Sequence, residues 1–300
     1  MDFLYYFRQW PGSILGNLVR IIHVLFLETK RIIFGIKYIA EFDLTDMCNL
    51  NCSHCYHFRQ KEKLNYTELS IEKWKKKFIA LKKKGIRRVL LIGGEPALRK
   101  DIIELACCIF KYVDICSNGT IKIDNNFNQK LFISIDGNEV THDSIRGKGI
   151  FKKVLDNYRN DKRVFFNMTL TKHNWHQLEE VINIAIDNNV KGVSCDIYTP
   201  SPAVTDKDDL FINKEIRVLI IDELFKMKKK YPKFFLISKK AIMWFKNTDH
   251  SGKACYWRQA VNHFSVNLEE RYSCKDLDCS NCGCFAQANL SPLNIFIKSK

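Results

Sequence analysis

The chain lacks a secretory signal. Its N-terminus has neither a basic start nor a small-residue cleavage site, which points to a reducing, cytoplasmic setting in which cysteines serve as metal ligands rather than as disulfides. It also lacks a membrane-spanning run of about twenty apolar residues. Ile14 to Phe34 is rich in Ile, Leu, Val and Phe, but Asn17, Arg20, His23, Glu28, Lys30 and Arg31 interrupt it. Acidic side chains are in deficit, 33 against 48 basic, leaving a formal charge of +15 over 300 residues. That excess admits an anionic partner: phospholipid head groups, a phosphorylated or sugar-nucleotide substrate, or RNA. Its densest stretch, Lys73 to Lys84, spaces lysines and apolar residues helically and reads as the solvated face of an outer helix rather than a nucleic-acid surface.

A fourth ligand is missing as well. Among 12 cysteines, Cys48, Cys52 and Cys55 crowd into Asp46-Met-Cys-Asn-Leu-Asn-Cys-Ser-His-Cys-Tyr56. A structural zinc or iron–sulfur site takes four protein donors, and three leave one metal corner open for chemistry. Alone, the spacing is also half of a zinc knuckle. Further along, Arg88 to Ile92 is a short apolar run that breaks at Gly93, Gly94, Glu95 and Pro96, reading as a buried parallel strand entering a loop. Val113 to Thr120 closes on the polar turn Ser117-Asn118. In Leu131 to Gly137, strand alternation puts Ser134 and Asp136 on one face. His142-Asp-Ser-Ile-Arg-Gly-Lys-Gly-Ile-Phe151 follows.

In this order, C-x3-C-x2-C, GGEP, Ser117-Asn118, the Ser134/Asp136 strand and the HDxxRGxGxF stretch resemble the radical S-adenosylmethionine (SAM) enzymes. The resemblance implies that Cys48, Cys52 and Cys55 hold a [4Fe–4S] cluster whose fourth iron chelates SAM. It implies a SAM site formed by Gly93, Gly94, Glu95, Pro96, Ser117, Asn118, Ser134, Asp136 and Arg146. There the glycine backbone meets the SAM amino group without a Cβ in the way, Ser117 and Asn118 meet the ribose, and the Arg146 fork meets the SAM carboxylate. The activity implied is reductive cleavage of SAM to a 5′-deoxyadenosyl radical that abstracts a hydrogen atom. The electron comes from a reduced donor such as flavodoxin or ferredoxin. The substrate stays open among peptide, sugar and lipid-linked compounds.

Strand–helix alternation from Glu41 independently suggests α/β architecture: an open, partial (β/α)6 barrel with working residues at C-terminal strand ends and a small cysteine-rich C-terminal appendage. Strands are expected at 41–46, 88–92, 113–116, 131–135, 164–170 and 192–198, and helices at 70–84, 100–111, 151–159, 174–188 and 211–230. The expected organisation is an amphipathic extension over 1–40, the partial barrel over 41–230 and the cysteine-rich region over 231–300. Cys107, Cys108 and Cys116 read as small hydrophobes. Cys195, on the last strand, would reach a substrate radical if it faced inward.

Cys255, an apparent hairpin from His263 to Cys274, then Cys279, Cys282 and Cys284 resemble the shortened auxiliary-cluster domain called twitch, a reduced SPASM. The hairpin lacks its usual glycine, having Leu268-Glu-Glu-Arg271 instead. Four of these five thiolates would complete an auxiliary [4Fe–4S] cluster or, since Cys279-x2-Cys282 is also a knuckle spacing, a zinc site. A rival reading of the whole chain is a basic zinc-binding module that contacts nucleic acid. The N-terminal segment, as a helix over about 13–37, would carry Ile14, Leu18, Ile21, Ile22, Leu25, Ile32, Ile33 and Ile36 on one broad side. It would lie either on an anionic membrane surface or against the barrel.

Overall fold

A computed structural model describes residues 22, 25–27, 29–55, 68–124, 129–200, 208–246, 255–271, 274 and 279–284. The expected apolar runs form strands β1 (Ile39–Asp43), β2 (Arg88–Ile92), β3 (Tyr112–Ser117), β4 (Lys130–Ser134), β5 (Val164–Leu170) and β6 (Gly192–Ile197). Helices fill four of the five crossovers between β1 and β6: α1 (Ile71–Lys83), α2 (Lys100–Ile109), α3 (Glu139–Arg146) with α4 (Ile150–Tyr158), and α5 (Leu178–Asp187); among the described residues the connection from β3 to β4 holds none. Helices α6 (Lys214–Lys230), α7 (Lys239–Lys246) and α8 (Tyr256–Ala260) follow, before a seventh strand, β7 (Val261–Phe264). The sheet order is β6-β5-β4-β3-β2-β1-β7, parallel throughout and open at β6 and β7.

The His142–Phe151 stretch spans the end of α3 and the start of α4, joined at Gly147 (φ 120°) and Gly149 (φ 77°). Two features depart from the sequence reading. The helix expected from Asn174 begins regularly only at Leu178. The Asn174 amide is diverted to the backbone: its Oδ1 accepts from Thr171 N at 2.7 Å, and its Nδ2 donates to Asp136 O at 3.0 Å. The first arm of the expected C-terminal hairpin is β7, which pairs parallel to β1. Its return arm meets it at one antiparallel bridge, Phe264 to Glu270. Leu268, at φ 64°, takes the left-handed turn conformation that a glycine would otherwise supply.

Alternation along the strands sorts side chains onto two faces. Phe42 stacks on Phe264 at 5.0 Å and meets Trp74 and Phe78 of α1 edge-on at 5.8 and 5.1 Å, so even-numbered β1 residues face the helices. Glu41 and Asp43 therefore face the interior, where Arg271 bridges both at about 3 Å and His263 Nδ1 lies 3.0 Å from Glu41. Cys195 belongs with Val193, Val181 and Ile182 to the buried apolar layer. It points toward the helices, which removes it from the substrate side. Ser194 and Asp196 take the interior face instead. The lysines of α1 at 73, 75, 76 and 82–84 are exposed, as expected of a solvated outer face.

Of the N-terminal segment, 29–34 is helical. Ile22, Phe26, Ile32, Ile33, Phe34 and Ile36 are exposed, while Leu27 packs on a small cluster of Tyr38, Ile39, Trp257, Ala260 and Val261. Ile14, Leu18 and Ile21 lie outside the described residues. Among the described residues no helix is long and apolar enough to cross a membrane.

Candidate functional site

The loop that leaves β1 carries Cys48, Cys52 and Cys55, and two backbone hydrogen bonds clamp it to the loop that leaves β2. Gly94 N donates to Thr45 O at 2.7 Å, and Glu95 N donates to Met47 O at 2.8 Å. The glycines serve this clamp. A Cβ on Gly94 would stand 2.1 Å from Met47 O, and one on Gly93, itself at φ 125°, would stand 2.7 Å from Thr45 O. Close approach is thus required by the cysteine loop itself.

Glu95 is fully buried and accepts three hydrogen bonds: from Ala97 N at 2.9 Å, Ser117 Oγ at 2.7 Å and Asn118 N at 2.8 Å. Burial raises its pKa against the pull of those donors. Pro96 opens the short turn Pro96–Arg99 just beyond. Ser117 Oγ also accepts from Gly119 N at 3.0 Å, so its hydroxyl is engaged within the protein. The Asn118 side chain spans the cysteine loop. Its Nδ2 donates to Asn49 Oδ1 at 2.9 Å and points at Cys48 Sγ at 3.7 Å, while its Oδ1 accepts from Thr120.

Cys52 is flanked by a charged group from the end of α3, which follows β4. Arg146 Nη1 points at Cys52 Sγ at 3.8 Å, and its Nε donates to Asp136 Oδ2 at 2.5 Å. Asp136 is inaccessible, with Thr169 N 3.2 Å from Oδ1 and His54 Nε2 3.7 Å from Oδ2. Burial alone would raise its pKa, but Arg146 and then His54 and His142 outweigh that and hold it at about 2. His142 Nδ1 accepts from Asp136 N at 3.2 Å, and burial lowers this imidazole from 6.5 to about 4. Ser53 N donates to Ile145 O at 3.1 Å, which ties the cysteine loop to α3. Ser134, half-buried at the end of β4, is in register with Asn167 of β5. His54, Asn49 and His142 were missed in the sequence. The position of His54 inside the cysteine motif was the available signal.

Burial raises the Cys48 thiol and raises that of Cys52 to about 11. Neither is a thiolate at neutral pH without a metal to hold the charge. Three thiols on one loop, with N–H donors aimed at two of the sulfurs, are the donor set an iron–sulfur cluster takes. Among the described residues no three His, Cys, Asp or Glu side chains are gathered tightly enough to chelate a single ion.

The second group lies across the open side of the sheet. Cys255 caps α8, Cys279 and Cys282 flank the turn Cys279–Asn281, and Cys274 and Cys284 lie nearby in sequence. Burial raises the Cys282 thiol to about 12, and the sulfurs of Cys274, Cys255 and Cys279 add to that shift, which places all four within electrostatic reach. Arg258 Nη2 donates to Cys279 Sγ at 3.4 Å. Gly283 pairs with the end of β6: Ile197 N donates to its carbonyl at 3.0 Å, and a Cβ there would lie 2.0 Å from Ile197 O. Four of the five thiols thus share an electrostatic neighbourhood, while among the described residues no three of them are gathered tightly enough to chelate a single ion.

Comparison with known proteins supplies the frame for this geometry. The Radical SAM superfamily model matches residues 43–213, more than half of the chain. The sporulation killing factor maturation protein SkfB of Bacillus subtilis is 32% identical over 154 residues, covering 46% of this chain and 37% of that protein. Fe-coproporphyrin III synthase of Methanosarcina barkeri is 30% identical over 171 residues, covering 51% and 42%. The chain thus spans less than half the length of these curated relatives. The structure of Streptococcus suis SuiB bound to S-adenosylmethionine superposes with a TM-score of 0.63 at 15% identity, covering 89% of this chain and 67% of that one, a likeness of fold. With the cysteine loop, its glycine clamp and the parallel sheet in the family's order, the chain belongs to the radical SAM superfamily, an enzyme family.

Proposed function

We propose that the protein binds a [4Fe–4S] cluster on Cys48, Cys52 and Cys55 and uses it on SAM. Bound there and reduced by a donor such as flavodoxin or ferredoxin, the cluster supplies the electron that splits SAM into methionine and a 5′-deoxyadenosyl radical, which takes a hydrogen atom from the substrate. The observation that carries the reading is the pair of N–H groups on the sulfurs, Asn118 on Cys48 and Arg146 on Cys52. Both offset thiolate charge. Arg146 and Asp136 line the neighbourhood in which the SAM carboxylate would be met, with Ser134 on the adjoining strand. Gly93, Gly94, Glu95 and Pro96, with Ser117 and Asn118, fix the loop walls. The substrate, whether peptide, sugar or lipid-linked, would enter on the interior face that presents Ser194 and Asp196. Anaerobically reconstituted, reduced protein is expected to form 5′-deoxyadenosine, and alanine at Cys48, Cys52 or Cys55 is expected to abolish it. Undiminished cleavage in all three variants, or a colourless zinc protein without iron, would reverse the reading toward the nucleic-acid module.

The exposed Phe26, Ile32, Ile33 and Phe34 beside Lys30 support a peripheral contact with an anionic bilayer. Removal of residues 1–37 should release the protein from anionic liposomes at low salt while it stays soluble. Full-length protein that never binds them would refute this contact.

A further inference from the structure

The C-terminal hairpin sends a side chain back onto the first strand of the barrel. Glu41 and Asp43 stand two residues apart on the interior face of β1, so their carboxylates are neighbours, and both are largely buried. Arg271 lies between them. Its Nε donates to Asp43 Oδ2 at 2.8 Å, and its Nη2 donates to Asp43 Oδ1 and to Glu41 Oε1, each at 3.0 Å. On Asp43 this is the two-point fork that an ammonium cannot copy. The turn that carries Arg271 closes on itself: Ser265 N donates to Glu269 O and Leu268 N to Ser265 O, both at 2.9 Å. Arg271 N then donates to His263 O at 2.9 Å, and the ring of that histidine faces the same Glu41 oxygen, with Nδ1 at 3.0 Å.

What this clasp holds is the root of the cysteine loop. Asp43 ends β1, five residues before Cys48. The β2 side grips the same root through its backbone: Leu44 N donates to Ile92 O at 2.8 Å, and a Cβ on Gly93 would stand 3.3 Å from Asp43 Cα. The end of β1 is therefore held from β2 by its main chain and from the C-terminal hairpin by its carboxylate. We propose that Arg271 is a positioning residue for the SAM reaction, which sets the end of β1, and with it the loop of Cys48, Cys52 and Cys55, from the C-terminal hairpin. Without the guanidinium, two buried like charges would stand side by side and separate, and the loop they root would follow. The hairpin thus serves the first cysteine group directly, whatever the C-terminal cysteines bind.

This inference rests on the reading that Cys48, Cys52 and Cys55 hold a cluster that binds SAM, and the two fail differently. The test uses the full chain, reconstituted anaerobically, as wild type, Arg271→Met, Arg271→Lys and the charge-free Arg271→Met/Glu41→Gln/Asp43→Asn. Thermal midpoint, SAM affinity at matched iron content and the change that SAM makes in the EPR spectrum of the reduced cluster are measured on each. Arg271→Met should lower the midpoint, because it strands two buried carboxylates, and should weaken SAM binding about tenfold, the lower end of the effect of outer supports on a metal site. The charge-free variant should regain the midpoint but not the affinity, since the tether is still absent. In both methionine variants the SAM-induced EPR change should be incomplete. Arg271→Lys should keep a midpoint near wild type, with an affinity between the two. Affinity that returns together with the midpoint in the charge-free variant would reduce Arg271 to a counter-ion and overturn the proposal, as would wild-type affinity in Arg271→Met. If Arg271→Met is insoluble, wild-type affinity in the charge-free variant decides against it. Wild type with no iron on the first cysteine loop would instead overturn the underlying reading.

Discussion

The two cysteine regions are built on opposite principles. Around Cys48, Cys52 and Cys55 the protein supplies its own order: glycine backbones lock the loop, Glu95 gathers the neighbouring turn, and the Arg146 charge is answered by Asp136. Around Cys255 to Cys284 two guanidinium groups take part, Arg258 on the Cys279 sulfur and Arg217 on the Asn281 and Cys282 carbonyls, and Gly283 pairs with the end of β6. The first region is organised ahead of its metal, as a site that must present an open iron corner needs to be. The second is fastened chiefly through its main chain.

The contrast breaks most readily at Asp136. Asp136→Asn strands the Arg146 guanidinium in a buried setting, and loss of one partner of a buried pair costs about 3–5 kcal/mol. Chemical denaturation should show that loss, and iron retention on the first loop should fall with it. Gly94→Ala comes next: the new Cβ meets the Met47 backbone rather than a flexible side chain, so about 1–3 kcal/mol of stability and much of the loop iron should go. A similar Gly94→Ala midpoint and iron count to wild type would show that the clamp is looser than its geometry.

A pH profile sharpens the same region. His142 is held neutral, its pKa lowered by burial from 6.5 to about 4. The unfolded chain therefore binds the proton first as pH falls. Stability from this group is complete above about pH 6.5 and is lost as pH drops toward 4, on the order of 2–3 kcal/mol. His142→Asn, which retains an acceptor for Asp136 N, should flatten the denaturation profile across that window. Arg146→Ala should weaken SAM binding by roughly one to two orders of magnitude, in line with about 1.5–3 kcal/mol for a charge-assisted hydrogen bond. Isothermal titration on protein of matched iron content reads this directly, and unchanged affinity would confine Arg146 to the Cys52 sulfur. Smallest is Cys195→Ala, worth about 1 kcal/mol of core packing with no change in 5′-deoxyadenosine formed.

The sequence exposed those features that periodicity and motif encode locally. All six expected strands exist within a few residues of their expected ends, because continuous apolar runs such as Val164–Leu170 leave little freedom in a parallel sheet. What it hid depends on long-range contact. β7 is four residues long and gains its place only by pairing with β1, more than 200 residues earlier. Cys195 could face either way until the register of β6 was known, since one residue of slip reverses every side chain. Arg217 looks in sequence like any helix-surface arginine; its burial goes with a carbonyl 65 positions away. The Gly93-Gly94 motif was legible as a close approach, but its partner, the cysteine loop, is set by tertiary structure.

Side-by-side SAM cleavage by two variants tests the contrast most directly: one with alanine at Cys48, Cys52 and Cys55, the other with alanine at Cys274, Cys279 and Cys282. Both are reconstituted anaerobically, reduced, and assayed for 5′-deoxyadenosine together with iron. The account predicts no 5′-deoxyadenosine from the first, and from the second retained cleavage with about four irons of a full complement of about eight, or with its zinc lost and about four irons kept. Cleavage that survives loss of the first three cysteines, or that vanishes with the tail while four irons remain on the first loop, would contradict it.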